Sequence, residues 1–210
     1  MDEDFECFLK HVGDGFDRRN VSDTSIRRYK GRLPDRLMEY WQAYGWCGYA
    51  DGLFWTVNPQ DYEPVVDAFL EGTDFHASDT YHVIARSGFG ELYLWGEETA
   101  NCLTIASYFN KYFYNGKALG RNEDPRAVSL FFAFQDIEYI DVSNLFSPAL
   151  ATLGRLKYDE IYGFVPALAF GGEPSLKRLN KVKDVEHMLL LAQLELLQHW
   201  EFPGWGLTET

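Results

Sequence analysis

Five histidines, three cysteines and many carboxylates are the groups through which this 210-residue chain could do chemistry. His11, His76, His82, His187 and His199 form no HxH, HxxxH or HExxH pair, so a metal site would have to be assembled from distant segments. Cys7, Cys47 and Cys102 are odd in number and lack CxxC spacing, which indicates neither a zinc site nor a disulfide framework. Gly88-Phe-Gly90 follows a strand, but the third glycine and the helix of a dinucleotide fingerprint are missing, so it reads as a turn. There is no Gly-x-Ser-x-Gly elbow, and adjacent Asp159 and Glu160 would point apart instead of sharing a proton. An enzymatic or small-molecule-binding protein would need a deep pocket joining Glu91, Glu160 and His187. His82 and His187 read more simply as hydrogen-bonded structural residues. No catalytic residue, cofactor or metal ligand is expected.

Carboxylates are the more informative class. Between Asp51 and Glu98 the chain carries ten acids (Asp51, Asp61, Glu63, Asp67, Glu71, Asp74, Asp79, Glu91, Glu97, Glu98) and one base, Arg86. That block supplies most of the formal net charge of −13. A concentrated negative field steers cationic partners and repels phosphate, so direct nucleic-acid binding is disfavoured; a merely solubilising acidic surface is the alternative reading. Tyr62, Val65, Val66, Phe69 and Leu70 form the apolar stripe of a helix that Asp61 would cap, with Pro64 in the first turn. Glu63, Asp67 and Glu71 then stack four apart on its outer face. Like charges at that spacing cost a helix about 0.2–0.5 kcal/mol per pair, so stability alone does not explain Asp67 and Glu71. The electrostatic argument holds only if the basic run Arg18, Arg19, Arg27, Arg28, Lys30 and Arg32 does not seat among these carboxylates.

The elements that would position these groups follow from periodicity. Phe5, Phe8, Leu9 and Val12 share a helical face ended by Gly13, and Leu37, Tyr40, Trp41 and Tyr44 share another after Leu33-Pro34. Residues 45–52 read as a glycine-punctuated loop and 53–57 as a short strand. Tyr81–Arg86 and Glu91–Trp95 form a hairpin, with further strands at Cys102–Ala106 and Lys111–Tyr114. Residues 116–125 are the best linker, with a boundary near residue 120.

Beyond it, helical and strand readings compete over the apolar run Val128–Phe134, with the helix preferred, and Asp184 caps a last helix running to about His199 with Leu196 facing inward. Pro166 and Gly171-Gly172 make the segment between residues 154 and 172 a buried irregular connector. The expected fold class is α+β: N-terminal helices with a small antiparallel sheet, packed against a helix-rich C-terminal part. No apolar run approaches a membrane span, and the acidic N-terminus lacks secretory character, so a soluble cytoplasmic chain is expected.

Two segments carry a family resemblance. Leu33–Trp41 with Gly52–Tyr62, then Tyr81–Arg86 and Phe89–Gly96, resembles the GAD-like domain. Glu160–Gly172 with Val185–Gln193 is similar to the C-terminal domain that accompanies it in immunity proteins against type VI-secreted DNase toxins. The resemblance implies a GAD-like domain at 1–120 and an immunity-protein domain at 121–210. It also implies a non-catalytic inhibitor that binds its cognate nuclease toxin one to one, without nucleic acid or membrane. On physical grounds the toxin-binding surface is assigned to Asp51, Asp61, Glu63, Asp67, Glu71 and Asp74, with Tyr49, Tyr62 and Trp55 as aromatic anchors. A scaffold that oligomerises through exposed aromatics is the remaining alternative.

Overall fold

The computed structural model describes residues 3–114 and 126–200; the linker and the boundary near residue 120 lie outside the described residues. The N-terminal region holds α1 (Glu3–Val12), β1 (Phe16–Arg19), α2 (Asp23–Tyr29), α3 (Asp35–Tyr44), β2 (Trp46–Tyr49), β3 (Phe54–Thr56), α4 (Pro59–Leu70) and α5 (Phe75–Ser78). It continues through β4 (Tyr81–Ser87), β5 (Glu91–Gly96), β6 (Ala100–Ala106) and β7 (Lys111–Tyr114). After the linker come α6 (Ala127–Ala133), α7 (Ile137–Ile140), α8 (Phe146–Leu153), β8 (Glu160–Phe164), β9 (Leu179–Lys183), α9 (Asp184–Ala192) and β10 (Gln198–His199).

The α+β class is as expected, but the sheet is not small. Eight strands run in the order β1-β2-β3-β4-β5-β6-β7-β10, antiparallel through β7, with β10 added parallel to β7. The C-terminal region also contributes its own antiparallel pair, β8–β9, so it is not simply helix-rich. The supposed glycine loop supplies the difference, because residues 46–49 form β2. Gly48 sits there because the rings of Phe16 and Trp55 close over it; a Cβ would lie 2.7 Å and 2.9 Å from them. Gly45 ends α3 at φ +72°, a conformation that favours glycine.

β3 shows how the sheet divides its coverings. Phe54 faces one side, among Phe8, Tyr49, Tyr93 and Phe132, which belong to α1, β2, β5 and α6. Trp55 faces the other side, against Phe16 and Tyr158 and beneath the Arg86 guanidinium. Helices α4 and α9 pack together on that second side. One continuous core results. From α6, Phe132 enters the N-terminal aromatic cluster, with ring centroids 5.1 Å from Phe5 and 5.3 Å from Phe8.

The last helix is shorter than its periodicity suggested. It ends at Ala192, leaving Leu196 73% exposed and His199 in β10. Asn110 is the cause. Its side-chain amide donates to the carbonyls of Leu191 (2.8 Å) and Glu195 (2.9 Å), capturing the chain as the helix finishes. The backbone then pairs with β7 through Gln198 N–H to Asn110 (2.9 Å) and Trp200 N–H to Tyr112 (2.8 Å). Within 154–172, β8 is buried but Val165 and Phe170 are exposed, so the connector is only partly interior.

Phe132 is nearly inaccessible and meets the rings of Phe5, Phe8, Tyr40, Phe54 and Phe131, so Phe132→Ala should cost about 3–5 kcal/mol, read from the urea midpoint. A loss under about 1 kcal/mol would mean that α6 does not share the N-terminal core.

Candidate functional site

Helix α4 carries the acidic face. Its apolar stripe is buried as its spacing requires: Tyr62, Val65, Val66, Phe69 and Leu70 all point inward. Asn58, not Asp61, is the N-cap; its side-chain oxygen accepts the Gln60 N–H at 3.3 Å. Pro59 takes the first position, which moves Pro64 into the second turn. Asp61 accepts a hydrogen bond from the Asn58 amide at 3.1 Å, and burial raises its pKa.

The acidic block is partly neutralised from within, as the basic run had threatened. Arg28 donates to Glu63 at 2.5 Å. Arg32 binds Glu97 at 2.7 Å, and Arg155 binds Asp51 at 2.6 Å. Such exposed pairs stabilise little, but they remove Glu63 and Asp51 as bare charges. Asp79 is occupied by the backbone N–H groups of Thr80, Glu98 and Thr99. Asp67, Glu71 and Asp74 stay exposed and unpaired among the described residues. Asp67 and Glu71 line a surface groove of about 620 Å³ with Pro64, Ala68, Gly72 and His76.

The aromatic anchors are not on the surface. Tyr49, Trp55 and Tyr62 are all buried, because their strands and helix turn those positions into the sheet coverings. Tyr62 instead belongs to a buried polar cluster that the spacing of residues did not reveal. Arg86 of β4 is fully buried, with Nε 2.9 Å from the Tyr62 hydroxyl and 3.1 Å from Asp184 Oδ2. Its Nη1 donates to the Ser87 carbonyl at 3.2 Å, and Nη2 donates to Tyr158 (2.6 Å) and Glu160 (3.1 Å) carbonyls. The Tyr62 hydroxyl donates to Asp184 at 2.5 Å. Burial opposes the charge on Arg86, but Tyr62 and Asp184 outweigh it, and its pKa is raised. Beside the cluster opens a cleft of about 390 Å³ lined by Arg19, Asp61, Lys183 and Glu186 among others.

Glu91, Glu160 and His187 are each held by different neighbours. Glu91 accepts from the Tyr108 hydroxyl at 3.2 Å, and burial raises its pKa. Glu160 accepts the Lys157 N–H at 3.0 Å and faces Lys181 at 3.9 Å. His187 closes over Gly163, where a Cβ would sit 2.8 Å from its Nε2, and burial lowers its pKa. These partners are those of packed structural groups and not of a shared acid–base site. His82 is likewise buried, 2.8 Å from Glu97.

A family model described as GAD-like domain matches residues 3–109. The chain belongs to the GAD-like domain family. Residues 126–195 match a second model, described as the C-terminal part of the type VI secretion immunity protein Tdi1. That second match suggests a toxin-immunity role and implies a non-enzymatic one. No curated protein matches the chain. The crystal structure of Atu4351 from Agrobacterium tumefaciens is similar in fold, with a TM-score of 0.80 at 22% identity. The likeness covers 91% of this chain and 89% of that one. No helix among the described residues is long and apolar enough to cross a membrane.

Sequence reasoning missed the Arg86–Asp184 pair. The available signal was Arg86 following Val83-Ile84-Ala85 in a strand with no acid beside it, which demands a buried partner. Removing that partner should be severe: Asp184→Asn leaves a buried guanidinium uncompensated and should cost about 3–5 kcal/mol in urea unfolding. Wild-type stability in this variant would show the pair to be dispensable.

The His82 imidazole allows a pH prediction. Burial holds its pKa below the ordinary 6.5, despite the bond to Glu97. The unfolded chain therefore takes up a proton there before the folded chain does, so stability falls as pH drops below 6.5. His187 acts in the same direction and Glu91 in the opposite one, and both remain in a variant. Between about pH 7.5 and 5.5, His82→Gln should lose urea resistance less steeply than wild type. Equal slopes would unlink His82 from folding.

Proposed function

We propose that this chain is an immunity protein that binds a cognate type VI-secreted DNase one to one in the producing cell's cytoplasm. It neutralises the toxin by covering its basic DNA-binding or active-site face. The observation that carries the proposal is the bare acidic surface at the end of α4, where Asp67, Glu71 and Asp74 have no internal counter-ion among the described residues. A DNase must present lysines and arginines to hold phosphate, and an exposed acidic face both attracts that surface and competes for it. The match to an immunity-protein domain supports the same reading.

The surface is narrower than the acid count suggests. Glu63 and Asp51 are already paired, and Asp61 lies beside the Arg86 cleft. Tyr49 and Tyr62 act from the interior; Tyr62 anchors α4 through Asp184.

Reversing Asp67 and Glu71 together to lysine should slow association with the cognate nuclease domain by about tenfold at low salt, with the difference shrinking as salt rises. Stopped-flow binding and a DNA-cleavage assay would measure it. Glu63→Gln, which alters a satisfied pair, should change association far less. Unaltered kinetics in the double reversal would remove α4 from the interface.

A further inference from the structure

Two large aromatic side chains stand outside the core on a segment whose other apolar residues are packed. Phe134 is 63% exposed and Tyr139 is 90% exposed, whereas Phe131, Phe132 and Ile140 are buried. Both rings are presented by a pinned turn. The Gln135 amide donates to the Phe131 carbonyl at 2.8 Å, and the Asp136 carboxylate caps α7 by accepting the Glu138 N–H at 2.9 Å. Asp141 closes the far end, accepting the Phe146 N–H at 2.9 Å. A backbone held this way loses little freedom when a partner arrives, and aromatic side chains have few rotatable bonds to fix, which favours them as binding anchors.

Charge identifies the partner. Residues 127–154 contain no lysine, arginine or histidine, but they include Asp136, Glu138 and Asp141. A groove of about 570 Å³ lies against Phe134, Asp136 and Glu138 and is bounded by His11 from α1. Exposed aromatics set among carboxylates suit arginine and lysine side chains, which can rest on a ring face while pairing with Glu138. Nucleic acid and anionic lipid carry the wrong sign.

We propose that the Phe134–Asp141 turn is a second docking surface, which takes a basic segment of the toxin. The inference rests on the immunity reading and extends it to a different part of the molecule. Helix α6, which leads into this turn, packs on the Phe54 side of the sheet, and α4 packs on the Trp55 side. The two surfaces share no residues, so their contributions should add independently.

The test uses the full chain and the purified nuclease domain of its cognate secreted effector. Phe134→Ser/Tyr139→Ser should weaken binding about tenfold in calorimetry, and the loss should multiply with that of the Asp67→Lys/Glu71→Lys variant. Hydrogen exchange of the wild-type complex should show new protection across residues 134–141, a readout independent of how the variant folds. Wild-type affinity in the serine variant, or no protection at the turn, overturns this inference alone. A wild-type chain that does not bind the nuclease at all overturns the immunity reading and this inference together. Light scattering that shows the free chain to be a dimer through this turn would assign the surface to a second copy instead.

Discussion

The buried charge of Arg86 is the constraint on which the rest of the structure depends. A guanidinium without water must have its donors met and its charge balanced, and no single element of this fold can do both. Tyr62 comes from α4, Tyr158 and Glu160 from the start of the β8 hairpin, and Asp184 from the first position of α9. Satisfying one side chain therefore fixes α4, the hairpin and α9 on the same side of the sheet. The Tyr62–Asp184 bond and the buried stripe of Val65, Val66, Phe69 and Leu70 together turn the opposite face of α4, with Asp67, to solvent.

On the other side of the sheet, aromatic packing does the equivalent job. Phe132 from α6 inserts among Phe5, Phe8, Tyr40 and Phe54, joining the segment matched by the immunity-domain model to the GAD-like core. The hydrophobic effect is non-directional, so it brings these helices together without specifying their angle; edge-on ring contacts supply some of that specificity. One side thus combines a polar cluster with ring contacts, and the other is held by rings. Each leaves a helical segment with an acidic outer surface.

Charge acts differently at the surface and in the interior. Arg28, Arg32 and Arg155 take up Glu63, Glu97 and Asp51, so total acidity overstates the bare field. Asp67 on α4, and Glu71 and Asp74 just beyond its end, form no ion pair with a described base. An excess of acid over base must leave some carboxylates bare, and folding decides which.

Local pattern alone determined a good deal about this protein. The stripes of α1, α3 and α4 and the β4–β5 hairpin are legible because 3.6- and 2-residue periodicities are written in contiguous residues. The motifs quoted for the GAD-like and immunity domains were equally local, and both family matches agree with them. Tertiary structure alone decided the rest. It made residues 46–49 a strand, because Gly48 fits beneath rings from β1 and β3. It also stopped α9 at Ala192 through Asn110, and it buried Tyr49 and Tyr62 where exposed anchors had been expected. It drew Arg86 to Asp184 and left Tyr139 in water. Each of these outcomes depends on groups far apart along the chain, and no periodicity encodes which distant residue will lie within 3 Å of another.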